Sequence, residues 1–186
     1  MADADKLARL KEIVRERSFS EGEAKKLASG RTSSFYFNMK MTMSQPEALN
    51  LIADLMLEKL AEGPCDFVGG LAMGAVPIVN AISMRSHQTG NPVPLIWIRK
   101  EAKEHGTQAT IEGEAIENLR GKTAVMVEDV TTTGGSVMKA IEAVRQEGVM
   151  VDRVITIVDR QEGAEDALQA SGLTLVSLLK ADDFRS

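Results

Sequence analysis

Residues 123–136, with the sequence TAVMVEDVTTTGGS, constrain the fold more than any other part of the chain. Four apolar residues at 124–127 are typical of a short buried strand, and this strand ends at two adjacent carboxylates, Glu128 and Asp129. Three threonines and two glycines follow, and apolar residues then recur at positions 137, 140, 141 and 144. This spacing predicts a helix that begins near Gly134 or Ser136.

A loop of this composition between a strand and a helix is suited to binding a phosphate group. Its backbone N–H groups and the helix dipole both favour an anion at the start of the helix. No lysine follows the glycines until Lys139, so the loop lacks the pattern of nucleotide-triphosphate loops. Carboxylates accept hydrogen bonds from a diol, so the acid pair favours a ribose 5-phosphate as the ligand. A generic strand-to-helix turn with surface acids is the alternative.

The segment VMVEDVTTTGGS, residues 125–136, resembles the phosphoribosyl-pyrophosphate (PRPP) signature of the type I phosphoribosyltransferases. The resemblance implies an α/β fold with a mostly parallel central sheet flanked by helices and a small N-terminal hood. It also implies that the acid pair fixes the ribose hydroxyls while the following residues hold the 5′-phosphate. These PRPP-binding residues are Glu128, Asp129, Val130, Thr131, Thr132, Thr133, Gly134, Gly135 and Ser136.

The only aromatic cluster of this aromatic-poor chain lies at residues 35–37. Three consecutive aromatics on a strand face both sides, so either they form a purely structural strand or one of them stacks on a flat ligand. The surrounding segment SGRTSSFYFN, residues 29–38, resembles the hood of orotate phosphoribosyltransferases. The resemblance implies that Tyr36 and Phe37 orient orotate.

Residues 99–113 are predicted to form a long exposed loop, because no regular spacing of apolar residues occurs between Arg99 and Ala109. A charged loop can be merely a solvated surface. The pattern RKxxKxHG nevertheless resembles the mobile catalytic loop of orotate phosphoribosyltransferases, which reaches across a dimer interface. This resemblance implies that PRPP is contacted by Arg99, Lys100, Lys103 and His105. It also implies that Lys103 and His105 act as catalytic residues together with the acid pair.

A second apolar run, residues 154–158, ends at Asp159 and Arg160. Ligands of open parallel sheets bind outside the carboxyl ends of the strands, which is where this arginine is expected. The family resemblance implies that Arg160 pairs with the orotate carboxylate and that Thr132 also contacts orotate. The alternative is a surface arginine that pairs with Asp159 or Glu162.

The remaining patterns complete one α/β domain over residues 1–186. Residues 1–43 are predicted to form the N-terminal helix and hood, and residues 44–186 the α/β core. Ser44 and Glu47 have the spacing of a capping box at the start of a helix. A glycine-rich turn at residues 69–77 follows a short strand, a last helix is predicted at 162–170, and a last strand at 173–179.

Composition excludes several other classes of protein. A net charge of −5 and the lack of a basic run argue against binding to nucleic acid. The single cysteine, Cys65, excludes an internal disulfide, fits a reducing cytoplasm and is expected to be a small buried hydrophobe rather than a nucleophile. No run approaches membrane-spanning length, and the acidic start is not typical of a signal peptide.

The resemblance to orotate phosphoribosyltransferases extends over nearly the whole chain and implies one reaction. PRPP and orotate would give orotidine 5′-monophosphate and diphosphate, a step of pyrimidine (UMP) biosynthesis, in a cytoplasmic homodimer that shares the 99–113 loop between subunits. Mg²⁺ would be held mainly by the substrate, with no dedicated metal residues. A purine-type phosphoribosyltransferase and a non-catalytic PRPP-binding regulator are the alternatives.

Overall fold

The structure is a computed structural model, and it describes residues 2–26, 32–100 and 110–185. Helices and strands alternate through most of the chain. The helices are α1 (Asp3–Arg17), α2 (Met39–Met43), α3 (Pro46–Leu60), α4 (Val76–Gln88), α5 (Gly135–Gln146) and α6 (Ala164–Gln169). The strands are β1 (Phe19–Lys26), β2 (Thr32–Phe37), β3 (Phe67–Leu71), β4 (Leu95–Ile98), β5 (Ile111–Gly113), β6 (Thr123–Thr131), β7 (Met150–Asp159) and β8 (Thr174–Lys180).

Six of the strands form one central sheet in the order β5-β4-β3-β6-β7-β8. The pairs from β4 to β8 are parallel, and only the edge strand β5 runs antiparallel to its neighbour. Strands β3, β6 and β7 are each followed by a helix, as parallel crossovers require. The predicted α/β fold with a mostly parallel sheet is therefore confirmed.

The core lies on both faces of this sheet because successive side chains of a strand point to opposite sides. On β6, Val125 and Val127 belong to a cluster that also includes buried side chains of α3 and α4. Ala124 and Met126 belong to a second cluster on the other face, with the apolar face of α5. The short apolar run that predicted this strand is thus buried on both sides, which fixes the position of the acid pair at its end.

Strands β1 and β2 form a separate two-stranded antiparallel sheet, which we call the hood. The hood is attached to the body by an aromatic cluster. The ring of Phe37 lies 5.1 Å from that of Phe19 and 5.2 Å from that of Phe184, near the end of the chain. Phe37 and Phe184 are both buried, so the hood is anchored by its own aromatic residues to the C-terminal segment.

Three local predictions from sequence were wrong. Ser44 does not cap α3: it follows the last residue of α2, its Oγ donates to the backbone O of Met41, and α3 begins without a side-chain cap. The predicted 99–113 loop ends in strand β5, which is only three residues long and too short to give a periodic pattern. Helix α6 begins at Ala164 rather than at 162, because Gly163 before it has a left-handed φ of 102°.

In the described ranges, no helix has both the length and the apolar composition needed to cross a bilayer.

Candidate active site

The candidate site lies at the carboxyl end of the sheet, where β3, β4, β6 and β7 end side by side. Two of the cavities that open here are lined by Glu128, and we call them the larger and the smaller cavity. The larger, of about 460 Å³, is lined by Lys40, Leu71, Ala72, Met73, Gly74, Lys100, Glu128, Asp129, Val130 and Ser136. The smaller, of about 50 Å³, is lined by Glu128, Val130, Thr131, Thr132, Thr133, Gly134, Ser136 and Val137. The structure thus brings together the acid pair, the predicted phosphate loop and one of the predicted loop cations.

Glu128 lines both cavities, and Asp129 lines the larger one. Glu128 is 7% exposed, and its Oε1 accepts the backbone N–H of Asp129 at 3.2 Å. The Oδ1 of Asp129 in turn accepts the N–H of Val130 at 2.9 Å. Burial and the adjacent carboxylate of Asp129 raise the pKa of Glu128 well above its ordinary value, and Lys100 opposes this shift. A pair of carboxyl groups in this state can accept hydrogen bonds from ligand hydroxyls and can share a proton.

The smaller cavity has the features expected of a phosphate cradle. The backbone turns from β6 into α5 at Gly134, whose φ of 80° is a left-handed conformation that favours glycine. Helix α5 begins at the next residue, so its first N–H groups lack acceptors within the helix, and its first-turn residues Ser136 and Val137 line the cavity. The N-terminal end of the helix dipole adds to this preference for an anion. Thr132, predicted to contact orotate, also lines this cavity.

The turn after β3 forms the opposite wall of the larger cavity. Its residues Ala72, Met73 and Gly74 all line the cavity, and the peptide bond between Ala72 and Met73 is cis. A Cβ built on Gly74 would lie 2.9 Å from Oδ1 of Asp129, closer than real Cβ contacts come. Glycine at position 74 therefore allows the turn and the acid pair to pack directly against each other.

Lys40 is a cavity residue that was not predicted from the sequence. It lies on α2, directly after the hood, and lines the larger cavity together with Lys100 and the acid pair. The only sequence signal was a lysine shortly after the aromatic hood motif. A single exposed cation on a five-residue helix has no periodicity that would identify it.

The predicted loop residues are only partly described. Arg99 pairs with Glu112 of β5 through Nη1 and Oε1 at 3.1 Å, and Lys100 lines the larger cavity. A further cavity of about 680 Å³ extends beside them and is lined by Ala72, Met73, Val76, Trp97, Arg99, Lys100 and Glu112. Lys103 and His105 lie outside the described residues, so their roles stay predictions.

Arg160 connects the end of β7 to the hood. Its side chain is only 4% exposed. The guanidinium pairs with Glu162 at 2.7 Å and donates from Nη2 to the backbone O of Phe35 at 3.4 Å. It also stacks over the ring of Phe35, with 4.6 Å between Cζ and the ring centroid. The pairing with Glu162 that was the alternative reading is thus present. Arg160 is therefore buried against the hood strand, and its contact with the orotate carboxylate stays a prediction.

The two predicted hood contacts differ in their surroundings. Tyr36 is 53% exposed and is accessible to a ligand, whereas Phe37 is 4% exposed and its ring is packed in the core. Contacts of both residues with orotate stay predictions. Among the described residues, no cluster of three or more His, Cys, Asp or Glu side chains could hold a metal ion. The acid pair does provide oxygen ligands of the kind that Mg²⁺ prefers.

Cys65 lies at the opposite end of β3 from the site. Its Sγ donates to the backbone O of Phe67 at 3.4 Å, and burial raises the pKa of the thiol to about 11. A thiol with this pKa is protonated near neutral pH and is a poor nucleophile. The expectation that Cys65 has a packing role is in agreement with this environment.

Comparison with known proteins gives consistent matches over the chain. Residues 40–176 match the model of the phosphoribosyl transferase domain family. An orotate phosphoribosyltransferase of Bradyrhizobium diazoefficiens is 51% identical over 185 residues, which cover 99% of this chain and 98% of that protein.

Solved structures agree with these sequence matches. Orotate phosphoribosyltransferase of Mycobacterium tuberculosis superposes with a TM-score of 0.83 at 38% identity, covering 97% of this chain and 99% of the other. A second structure of that enzyme, in complex with 5-phospho-alpha-D-ribosyl 1-diphosphate, superposes with a TM-score of 0.77 at 32% identity and covers 97% and 92% of the two chains. On these sequence and structure matches, the chain belongs to the orotate phosphoribosyltransferase family of type I phosphoribosyltransferases.

Proposed function

We propose that this protein transfers the phosphoribosyl group of PRPP to orotate, giving orotidine 5′-monophosphate and diphosphate in pyrimidine (UMP) biosynthesis. The single observation that carries this proposal is the acid pair, Glu128 and Asp129, at the junction of a phosphate-sized cradle and a larger cavity. PRPP has a 5′-phosphate, two ribose hydroxyls and a diphosphate in the same order. Relatives of the same length that are named orotate phosphoribosyltransferase support the choice of orotate as the acceptor.

The cradle would bind the 5′-phosphate through backbone N–H groups and hydroxyls of residues 130–136. The acid pair would accept hydrogen bonds from the ribose hydroxyls, which fixes the sugar between the two cavities. Such positioning replaces a random encounter with a bound geometry and can supply about 7–11 kcal/mol of the barrier reduction in well-oriented reactions. Most of the catalytic advantage of this site would come from that source.

The chemical step is a substitution at C1 of the ribose. A ring nitrogen of orotate forms a bond to C1 while the C1–oxygen bond to diphosphate breaks, and the electron pair of that bond leaves with the diphosphate. The proton of the ring nitrogen is released. Positive charge develops on the ribose as the bond breaks, and the negative charge carried by the acid pair favours it electrostatically. No protein nucleophile is required.

We propose Mg²⁺ as the cofactor of this reaction. The residues fit a metal carried by the substrate, because Glu128 and Asp129 provide carboxylate oxygens without a surrounding cage of protein ligands. When bound, Mg²⁺ supplies charge neutralisation of the diphosphate.

The cations of residues 99–105 would act on the leaving group. Lys100 already lines the cavity, and we assign Lys103, with His105 and Arg99 in support, to the departing diphosphate. We also propose that the protein is a homodimer in which the 99–113 loop of each subunit serves the site of the other. Closure of this loop would keep water away from the reactive sugar.

Orotate would lie between the hood and the acid pair. Arg160 lies beneath the hood strand, with its guanidinium against Phe35 and Glu162, so the orotate carboxylate would compete with Glu162 for it. Thr132 and the exposed ring of Tyr36 would orient the base, with Phe37 shaping the hood from below. In this arrangement, residues 1–43 are the N-terminal helix and hood of one domain whose core is 44–186. We place the enzyme in the cytoplasm.

Turnover of a panel of bases separates this proposal from its alternatives. Orotate, adenine, guanine, xanthine and uracil are each incubated with PRPP and MgCl₂, and the nucleotide products are identified by mass. The proposal expects orotidine 5′-monophosphate alone. A purine nucleotide would instead indicate a purine-type enzyme, and PRPP binding without any product would indicate a regulator.

A further inference from the structure

We infer that Lys40 binds the diphosphate of PRPP and is a ligand-binding residue of the hood side of the site. The inference rests on the proposed function for the identity of the ligand and adds a residue to its binding site. It begins from the composition of the larger cavity. Its described lining contains two carboxyl groups, Glu128 and Asp129, and two ammonium groups, Lys40 and Lys100.

Lys40 is not paired with the acids. In the described ranges, no ion pair within 4.0 Å joins Lys40 to either carboxyl group, although all three side chains line one cavity. The space between them fits a ligand with hydroxyls at one end and anionic oxygens at the other. The ribose hydroxyls would face the acids, so the diphosphate on the neighbouring carbon would face the lysines.

The turn that forms the opposite wall supplies no cation of its own. Its cavity-lining residues are Ala72, Met73 and Gly74, whose side chains are uncharged or absent. Position 74 has no side chain, and a Cβ there would lie 2.9 Å from Oδ1 of Asp129, so a side chain could be placed there only if that carboxyl group moved. Positive charge for the diphosphate must therefore reach the cavity from other elements. Lys100 provides it from the end of β4, and Lys40 from α2.

The backbone that carries Lys40 is firmly held, which suits a binding residue better than a mobile surface lysine. Its neighbour Met39 is 1% exposed, and Thr42 is fully buried. The hydroxyl of Ser18 lies 2.6 Å from that of Thr42 and accepts the N–H of Thr42 at 3.1 Å. Ser18 Oγ also donates to the backbone O of Asn38 at 2.8 Å, just before the helix. Only the side chain of Lys40 has to be ordered when an anion binds.

Binding of inorganic pyrophosphate in MgCl₂, measured by titration calorimetry, tests this role without requiring turnover. Lys40→Ala and Lys40→Gln are compared with Lys40→Arg and with Lys122→Ala, an exposed lysine just before β6, at the opposite end of that strand from the site. Loss of one charge-assisted hydrogen bond is expected to raise the Kd for pyrophosphate about tenfold or more. Lys40→Arg should stay within about threefold of the wild type and Lys122→Ala within about twofold.

Steady-state kinetics provide the second readout. The KM for PRPP should rise in parallel with the Kd for pyrophosphate in Lys40→Ala, while the KM for orotate stays within about twofold. Pyrophosphate affinity within twofold of the wild type in both Lys40→Ala and Lys40→Gln would overturn the inference, as would an equal loss in Lys122→Ala. A wild type that binds pyrophosphate through Lys40 but does not consume orotate would refute the proposed acceptor and leave the role of Lys40 intact.

Discussion

Asp129 lies directly against the backbone of Gly74, so close that a Cβ on Gly74 would meet Oδ1 of Asp129 at 2.9 Å. The contact joins the turn after β3 to the acid pair at the end of β6. These two strands are hydrogen-bonded neighbours in the sheet, from Phe67 paired with Ala124 to Gly70 paired with Val127. The parallel pairing therefore places the turn and the carboxylate on either side of one cavity.

Gly74→Ala should impair catalysis without unfolding the protein. The added methyl group must displace the carboxyl group of Asp129, and displacing a positioning group by a fraction of an ångström is costly in an active site. We expect kcat/KM for PRPP to fall by about tenfold or more, with a Tm within about 3 °C of the wild type. Steady-state kinetics and calorimetry measure the two quantities.

Gly22→Ala is the matched control, because a Cβ on Gly22 would meet nothing within 4 Å. It should retain kcat/KM within about twofold. An unchanged kcat/KM in Gly74→Ala would show that moving the carboxyl group of Asp129 does not affect the reaction. Asp129 would then no longer be assigned to the ribose hydroxyls.

Glu128→Gln should stabilise the free protein at neutral and alkaline pH. Burial and Asp129 raise the pKa of Glu128 in the folded state well above its ordinary value of 4.5, so the folded protein binds a proton more tightly than the unfolded chain. As pH rises above 4.5, the unfolded chain releases this proton while the folded protein still retains it, so the wild type loses stability relative to the unfolded state. Glutamine carries no such penalty, and its side-chain oxygen can still accept the N–H of Asp129.

The Tm of Glu128→Gln should therefore exceed that of the wild type by an amount that increases between pH 4.5 and pH 8 and reaches about 2 °C or more. Glu117→Gln, an exposed position on the 3₁₀ turn Ile116–Asn118, is the control and should show no such trend. A Tm difference that is independent of pH would contradict the raised pKa of Glu128.

Arg160→Lys should weaken orotate binding selectively. Lysine keeps the positive charge near Glu162 but lacks the planar fork that pairs with a carboxylate and stacks on Phe35. The KM for orotate should rise about tenfold, and the KM for PRPP should stay within about twofold. Arg185→Ala is the control, because Arg185 also lies over the ring of Phe35, at 5.3 Å, but is exposed. A larger effect on PRPP than on orotate would contradict the proposed role of Arg160.

Lys103→Ala should lower turnover by about a hundredfold or more, because a lost contact to developing charge typically costs about 3 kcal/mol in the transition state. Lys122→Ala again serves as the control for removal of a lysine. A loss of less than threefold in Lys103→Ala would exclude the assignment of Lys103 to the leaving group.

Mixed dimers test whether the 99–113 loop is shared between subunits. Inactive Lys103→Ala chains are mixed with inactive Asp129→Asn chains, dissociated and reassociated. If each loop serves the partner's site, half of the sites in a hybrid dimer contain both defects and the other half contain neither. Activity should then return to about a quarter of the wild-type level for a random mixture. No recovery of activity, with hybrid formation confirmed by mass spectrometry, would contradict sharing.

The sequence predicted the parts of the molecule that are determined by local pattern. The buried run at 124–127 and the helical spacing after it lead to β6 and α5 as expected. The strand was predicted to end at the acid pair, but β6 continues to Thr131, so Glu128 and Asp129 lie within it, near its carboxyl end. Apolar residues buried on both faces leave one stable placement for such a strand, in the middle of a parallel sheet. The phosphate cradle follows from this placement because its residues are contiguous in the chain.

Features that depend on contacts between distant segments could not be predicted in the same way. Lys40 reaches the cavity only because α2 packs beside the ends of the sheet, and no local pattern encodes that position. The Gly74–Asp129 contact joins residues of two strands whose pairing is known only from the folded sheet. The predicted helix cap at Ser44 was wrong because the residues before it form α2, a five-residue helix that is too short to show a periodic pattern.

The most direct test of the proposed function follows orotate consumption and diphosphate release in one reaction. Purified wild-type protein is mixed with orotate, PRPP and MgCl₂, and the loss of orotate absorbance is compared with the diphosphate formed. The double variant Glu128→Gln, Asp129→Asn, purified in the same way, controls for contaminating host enzymes. We predict consumption and release in a one-to-one ratio, abolished in the double variant. Two results would contradict the assignment of this site to orotate phosphoribosyl transfer. The wild type could bind PRPP and leave orotate unchanged, or the double variant could consume orotate as fast as the wild type.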